Sequence, residues 1–200
     1  MSDYNYILCL WSGGLDSTYM IQKLLDENPK NVVWASYIEL KNNATKTKME
    51  LEAMNKLSKA LRLKYNKSVD RFYNWGTQCS IDISVGGLLN LHQLPIWIST
   101  IPQIVTRQIN QVAVGYVMND DAISYLGDFR SIYNSFNTIS NVKLPEIIFP
   151  LTKVKKEEIL IKIDKQLLAN IVYCENPNQK TLKKCGKCKP CIRHKNLYKK

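Results

Sequence analysis

No apolar run in this 200-residue chain approaches the roughly 18 residues that a bilayer-crossing segment needs, so no membrane span is expected. The opening residues Met1-Ser2-Asp3-Tyr4-Asn5-Tyr6 lack the basic flank and cleavage-like site of a secretory leader, and the expected location is cytoplasmic. In that reducing compartment clustered cysteines hold metal more often than they form disulfides. Internal repeats and low-complexity linkers are missing too. The chain is therefore read as one domain, 1–172, with a small C-terminal region, 173–200. No acid occurs from Lys180 to Lys200 against nine Lys and Arg, so of the net +11 only +2 belongs to the first 179 residues. Such a near-neutral body does not read as a general nucleic-acid coat, and the basic end is a solvated terminus unless RNA or DNA uses it. The Walker-type loop, GxxxxGKS or GxxxxGKT, occurs nowhere. What is present is apolar content of 45%, ample for a sizeable core and too high for disorder.

One stretch organises the rest: Trp11-Ser12-Gly13-Gly14-Leu15-Asp16-Ser17-Thr18, directly after the apolar run from Tyr6 to Trp11. The run reads as a buried strand, and the residues after it as an amphipathic helix ending at Asn28-Pro29. The turn between them sets free backbone N–H groups and the hydroxyls of Ser12, Ser17 and Thr18 at a helix N-terminus, where the dipole favours an anion. Paired glycines let the backbone approach a phosphate with no Cβ in the way. Asp16 repels phosphate unless a cation lies between, so it points to Mg²⁺ bridging to a phosphate chain. SGGLDST in this context resembles the pyrophosphate loop of the ATP-pyrophosphatase (PP-loop) superfamily, whose members adenylate a substrate and release pyrophosphate. A serine- or aspartate-capped turn is the plain alternative.

Further along, 31–38 reads as a second buried strand. A helix opens at Thr45 or Thr47, with Leu51, Met54, Leu57 and Leu61 on its apolar face. A weak strand is expected within 63–69. The middle, 70–94, shows no sustained period; Cys79 and His92 stand there singly and make a poor catalytic pair. A helix is expected over 96–111 with Pro102 in its first turns, then a strand over 112–118 that ends at Asn119-Asp120-Asp121. Then come a helix over 131–141 (Ile132, Phe136 and Ile139 on one side), a strand over 146–149 and a helix over 153–168. This alternation predicts a doubly wound α/β fold on a mostly parallel sheet, with ligands at the strands' C-terminal edge.

Cys174, Cys185, Cys188 and Cys191 form the second signal. Four thiolates at this spacing suit a closed structural Zn²⁺ site, with an Fe–S cluster as the rival. Lys184, Lys187, Lys189 and Arg193 would offset its negative charge. His194 is not needed as a fifth ligand, and Cys9 reads as core.

Taken together, SGGLDST and Cys174…CGKCKPCIRHK resemble the 7-cyano-7-deazaguanine synthase family of the queuosine pathway. KTKMELEAMNKLSKAL resembles that family's second helix, and SYLGDFRSIYNSF its SGYPDCRPEF segment, with Asp128 and Arg130 matching. FPLTKVKKEEI resembles its PL…K-x-E segment, with Lys155 and Glu157 matching. The family's Pro-x-Arg-Asn is replaced by Leu94-Pro95-Ile96-Trp97, and the Cys of its Pro-Asp-Cys-Arg by Phe129.

The resemblance implies ATP-dependent conversion of 7-carboxy-7-deazaguanine and ammonia to the nitrile through an acyl-adenylate and an amide, a carbon–nitrogen ligase reaction. On that reading the Trp11–Thr18 loop and Mg²⁺ near Asp16 take the pyrophosphate as charge develops. Lys155, just past a strand end, reaches the same phosphates, Arg130 grips a carboxylate bidentately, and Asp128 accepts from the N–H edge of a guanine-like ring. A homodimer and a nucleic-acid contact are left open. Two other readings stand beside this one. The chain adenylates another carboxylate, a tRNA or a protein group, or it is a zinc-stabilised nucleic-acid-binding module with a vestigial nucleotide loop.

Overall fold

The structure is a computed structural model and describes residues 3–41, 43–82, 93–139 and 143–197. Five strands, β1 (Asn5–Leu10), β2 (Asn31–Leu40), β3 (Phe72–Ile81), β4 (Gln111–Ala113) and β5 (Glu146–Ile148), form one sheet in the order β3-β2-β1-β4-β5. Every pairing in it is parallel. This is the doubly wound α/β architecture that the alternation of apolar runs predicts.

β1 sits at the centre because it is apolar on both faces. Ile7 and Cys9, with Trp11 just beyond, join a buried cluster with helices α1 (Leu15–Glu27) and α2 (Ala44–Tyr65). Leu8 points the other way, into a second cluster with α3 (Leu94–Ile104) and α4 (Leu126–Ile139). Each fully buried aliphatic side chain here, such as Ile7, Leu8, Met20, Ile21, Leu57 or Leu61, contributes about 1.5–3 kcal/mol through removal from water. The strand order reverses between β1 and β4, and a crevice opens at that switch point beyond the C-terminal ends of the strands. The chain finishes with α5 (Lys156–Lys162), α6 (Lys165–Leu168) and α7 (Lys189–Leu197). Among the described residues no helix is long and apolar enough to cross a membrane.

Several expected elements differ in place or phase. α2 starts at Ala44, because Asn43 caps it by accepting from the Lys46 N–H at 3.0 Å, and it runs on to Tyr65. The strand expected within 63–69 is absent, Leu63 being on the solvent side of the last helical turn. The third strand is instead β3. Its alternation is broken by register shifts against β2 and by a positive φ at Gly76, which hides it from a period-2 reading. α3 starts at Leu94 and ends at Ile104, so Pro102 falls in its last turn rather than its first. β4 pairs over only three residues, although Val114, Tyr116 and Val117 beyond it stay buried.

The apolar face of α4 is Leu126, Phe129 and Tyr133, with Ile132 and Ile139 exposed, so the expected phase is one residue off. The face of α2 runs through Met54, Leu57 and Leu61 as expected, joined by Thr47, with Leu51 at its exposed margin. The single helix expected over 153–168 is two. Ile163 turns to an extended conformation, Asp164 caps α6, and Gln22 clamps the break by donating to the Lys162 carbonyl and accepting from the Asp164 N–H. Cys9 is core, and burial pushes its thiol far up. Cys79 lies half-buried on β3, and His92 is outside the described residues.

Candidate active site

The bend after β1 is built as its residues dictate. The Trp11 N–H donates to the Ser36 carbonyl at 2.8 Å, extending the ladder by one residue. Gly13 then takes φ +69°, where a side chain is strained, and a Cβ there would meet Met54 Cγ at 3.1 Å. Gly14 begins α1 at an ordinary φ of −77° with no side-chain cap bond, so the first-turn N–H groups face the crevice without a capping oxygen. Ser17 Oγ accepts from the Ser12 N–H at 3.5 Å and draws the loop across the helix end. Thr18 is fully buried and accepts from Trp11 Nε1 at 3.0 Å, which makes it a brace behind the loop.

Above the loop lies a cavity of about 450 Å³, a volume proper to a small-molecule site. Trp11, Ser12, Gly14, Leu15, Asp16 and Ser17 form its floor. One wall is Tyr37, Ile38 and Leu40 from β2 with Lys46, Thr47 and Glu50 from α2. The Tyr37 hydroxyl donates to Glu50, whose carboxyl burial raises above the usual range. A second wall is Gln93, just before α3, and Trp97 on it, with Tyr116 and Asp120 beyond β4. Gly115 lies against the start of α1, where a Cβ would sit 3.4 Å from Ser17 Cα, an ordinary contact. The third wall comes from Val172 and the C-terminal region that follows it: Tyr173, Cys174 and Glu175, with Arg193 and His194 on α7.

Asp16 is the electrostatic centre. Burial raises its carboxyl above the usual range, and the nearby charge of Lys156 works against that. Oδ2 meets Lys156 Nζ at 2.9 Å, whereas Oδ1 is buried with no hydrogen-bond partner. A buried carboxylate oxygen without a donor is costly unless a cation or ligand supplies one. Magnesium, an oxygen-seeking cation, fits that vacancy in the hydrogen bonding.

The four cysteines of the C-terminal region come together with all their sulfurs within 4.8 Å of one another. A tetrahedral ion with metal–sulfur bonds of about 2.3 Å needs its sulfurs about 3.8 Å apart. The Cys185 and Cys191 sulfurs are 4.0 Å apart. The four thiolates are close enough together to hold a metal. Gly186, at φ +70°, turns the backbone so that the N–H groups of Lys187 and Cys188 donate to Cys185 Sγ, at 3.4 and 3.3 Å, and lower its thiol to about 6.

The cluster abuts the cavity. The Val172 N–H donates to the Gly13 carbonyl at 3.0 Å, and Asn43 Nδ2 and Lys46 hold Glu175 from α2. His194 stacks on Tyr173 at 3.7 Å between centroids, with Lys184 over the same ring at 3.8 Å. Burial and the Lys184 charge lower its imidazole to about 4, so it is neutral at pH 7.

Of the residues singled out in the sequence, Trp11, Ser12, Gly14, Leu15, Asp16, Ser17 and Cys174 line this cavity, Gly13 and Thr18 lie behind the loop, Cys185, Cys188 and Cys191 gather with Cys174 beside it, and Lys155, Asp128 and Arg130 stand apart from it. Lys155 is exposed at the N-cap of α5, and the lysine that reaches Asp16 is Lys156, the next residue. That one-residue difference is decided by where α5 starts, which the lysine pair itself does not reveal. Asp128 and Arg130 are exposed on α4 and line no part of the cavity; Arg130 instead lies 5.2 Å over the Phe149 ring. Sequence reasoning passed over Tyr37, Glu50, Trp97, Lys156 and His194 as site residues, and used Arg193 only to balance charge. The available signals were the β2 C-terminal edge for Tyr37 and the helical spacing of Cys188 and Cys191 for His194.

No family model and no curated protein matches the chain. Among solved structures it is similar to the U34-tRNA thiolase NcsA from Methanococcus maripaludis with its 4Fe-4S cluster. That match covers 99% of this chain and 67% of the thiolase, at 14% identity and a TM-score of 0.48.

Proposed function

We propose that the chain is an ATP-dependent enzyme of the PP-loop type that activates a carboxylate by adenylation, and that its acceptor is 7-carboxy-7-deazaguanine. One observation carries the reading: an uncapped helix N-terminus, a glycine bend and Lys156 converge on the floor of a small-molecule cavity beside a half-satisfied Asp16. These are the elements that hold a polyphosphate.

A carboxylate is a poor electrophile, so its oxygen first attacks the α-phosphorus of ATP and pyrophosphate leaves. The α1 N-terminus, the Ser12 and Ser17 hydroxyls and the Lys156 ammonium take up the negative charge that grows on the leaving group. Magnesium bound at Asp16 Oδ1 would supply further neutralisation of that charge. Ammonia then attacks the acyl carbon, AMP departs, and a proton is lost to give the amide. A second ATP activates the amide oxygen; its departure with AMP and loss of the amide protons leave the nitrile. The three walls hold the reactants together and keep water from the adenylate. The cysteine cluster would hold zinc as a structural clasp, its sulfur spacing being the support for that ion.

Incubation with ATP, Mg²⁺, ammonium and 7-carboxy-7-deazaguanine, followed by mass spectrometry, tests the reading. AMP with amide and then nitrile is expected; AMP absent and neither product formed overturns it. A second reading keeps the chemistry and changes the acceptor. It is favoured by the neutral Gln93 and Trp97 on the α3 wall and by the exposure of Asp128 and Arg130 away from the cavity. AMP released with another acid, and none with the deazaguanine acid, selects it.

A further inference from the structure

Three cations line the cavity, Lys46, Lys156 and Arg193, and two of them are engaged. Lys46 pairs with Glu175 and Lys156 with Asp16. Among the described residues, Arg193 is the cavity-lining cation that no ion pair holds. It sits close enough to Asp16 for its charge to act on that carboxylate. Arg193 is also not a free-swinging surface residue in its backbone. It lies two residues after Cys191, which is buried in the thiolate cluster, and next to His194, which is stacked on Tyr173. The Ile192 N–H closes the first turn of α7 on the Cys188 carbonyl at 3.0 Å. A long side chain whose base is fixed in this way loses less freedom on engaging a ligand than one on a loose terminus. Its planar fork matches two oxygens of a phosphate or a carboxylate at once.

We propose that Arg193 grips an anionic group of the bound reactants, and that the cysteine-clustered region is thereby a working wall of the site as well as a clasp. The inference rests on the nucleotide reading of the cavity. The anion is either the triphosphate tail of ATP or the carboxylate of the acceptor, and both present the same paired oxygens to the guanidinium.

Calorimetric titration of Arg193→Gln and Arg193→Lys against Mg-ATP, AMP and 7-carboxy-7-deazaguanine distinguishes the two sources. Loss of a charge-assisted bidentate contact weakens binding about 10- to 100-fold, and lysine restores part of it. Weakening for Mg-ATP with AMP unchanged assigns Arg193 to the phosphate tail. Weakening for the acid alone assigns it to the acceptor. Metal content and melting temperature stay at the wild-type level in both variants, because the side chain is exposed. If the wild type binds Mg-ATP and both variants bind all three probes as it does, the inference falls and the nucleotide reading stands. If the wild type binds no Mg-ATP, both fall together.

Discussion

The two glycines of the bend are adjacent and should fail in different ways. Gly13 holds φ +69°, faces away from the cavity, and is packed so that a Cβ would meet Met54 Cγ at 3.1 Å and the Glu50 carbonyl at 3.4 Å. Alanine in the left-handed region costs roughly 1–2 kcal/mol before any crowding, and a contact shorter than ordinary adds to it unless Met54 shifts. For a chain of this length each kcal/mol moves the melting temperature by about 2–4 °C, so Gly13→Ala should melt about 2–8 °C lower. Gly14 has an ordinary φ of −77°, lines the cavity, and would direct a Cβ to 3.3 Å from Ser12 Oγ. Its replacement carries no left-handed penalty, yet it puts a methyl group where the backbone would approach phosphate. Gly14→Ala should therefore melt within about 2 °C of the wild type while losing at least about tenfold in Mg-ATP affinity. Scanning calorimetry and ATP titration on the two variants decide the matter. A Gly14→Ala protein that binds ATP normally, or one that is less stable than Gly13→Ala, would refute the reasoning.

Asp16→Asn should abolish adenylation and yet raise the melting temperature at neutral pH. Because burial holds the Asp16 carboxyl above its unfolded value, the folded chain bears a cost for the charged form that the amide escapes. The advantage of the variant is absent below the ordinary carboxylate range, opens as pH rises through it, and is complete above the raised folded value; a flat difference between pH 3 and pH 8 would contradict this. Lys156→Ala should weaken Mg-ATP binding about 10- to 100-fold and Lys155→Ala by less than about threefold, measured by titration calorimetry, since Lys156 alone of the pair reaches the cavity. Cys188→Ser should lose bound metal and thermal stability together, because metal-binding free energy at such a cluster is folding free energy; full metal content by elemental analysis with unchanged melting would count against it.

The strand–glycine–helix unit at the start was legible because three signals follow one another directly within residues 6–28: a run apolar on both faces, paired glycines and an amphipathic period. The cysteines were legible because thiolate spacing constrains geometry directly, and the four sulfurs do converge. β3 was not, because edge strands carry one exposed face, and its bulges and Gly76 destroy what alternation remains. The phase of α4 slipped, and Leu51 was counted into an otherwise correct α2 face, because isoleucine or leucine at the margin of a face reads like one at its centre. Ile132 and Leu51 are such residues. The displacement of Asp128 and Arg130 from the cavity is a tertiary fact: α4 packs Phe129 and Tyr133 inward, and the residues on either side of Phe129 turn to solvent. Lys156 was missed for the same kind of reason, since only the position of the α5 N-terminus tells one lysine from its neighbour.

The central claim is that the bend after β1 holds a triphosphate so that its α–β bond is the one that breaks. Product analysis of radiolabelled ATP, incubated with the protein, Mg²⁺, ammonium and 7-carboxy-7-deazaguanine, tests it most directly. The account predicts AMP and pyrophosphate in equal amounts, dependent on the acid and abolished by Asp16→Asn; ADP and inorganic phosphate as the products would contradict it.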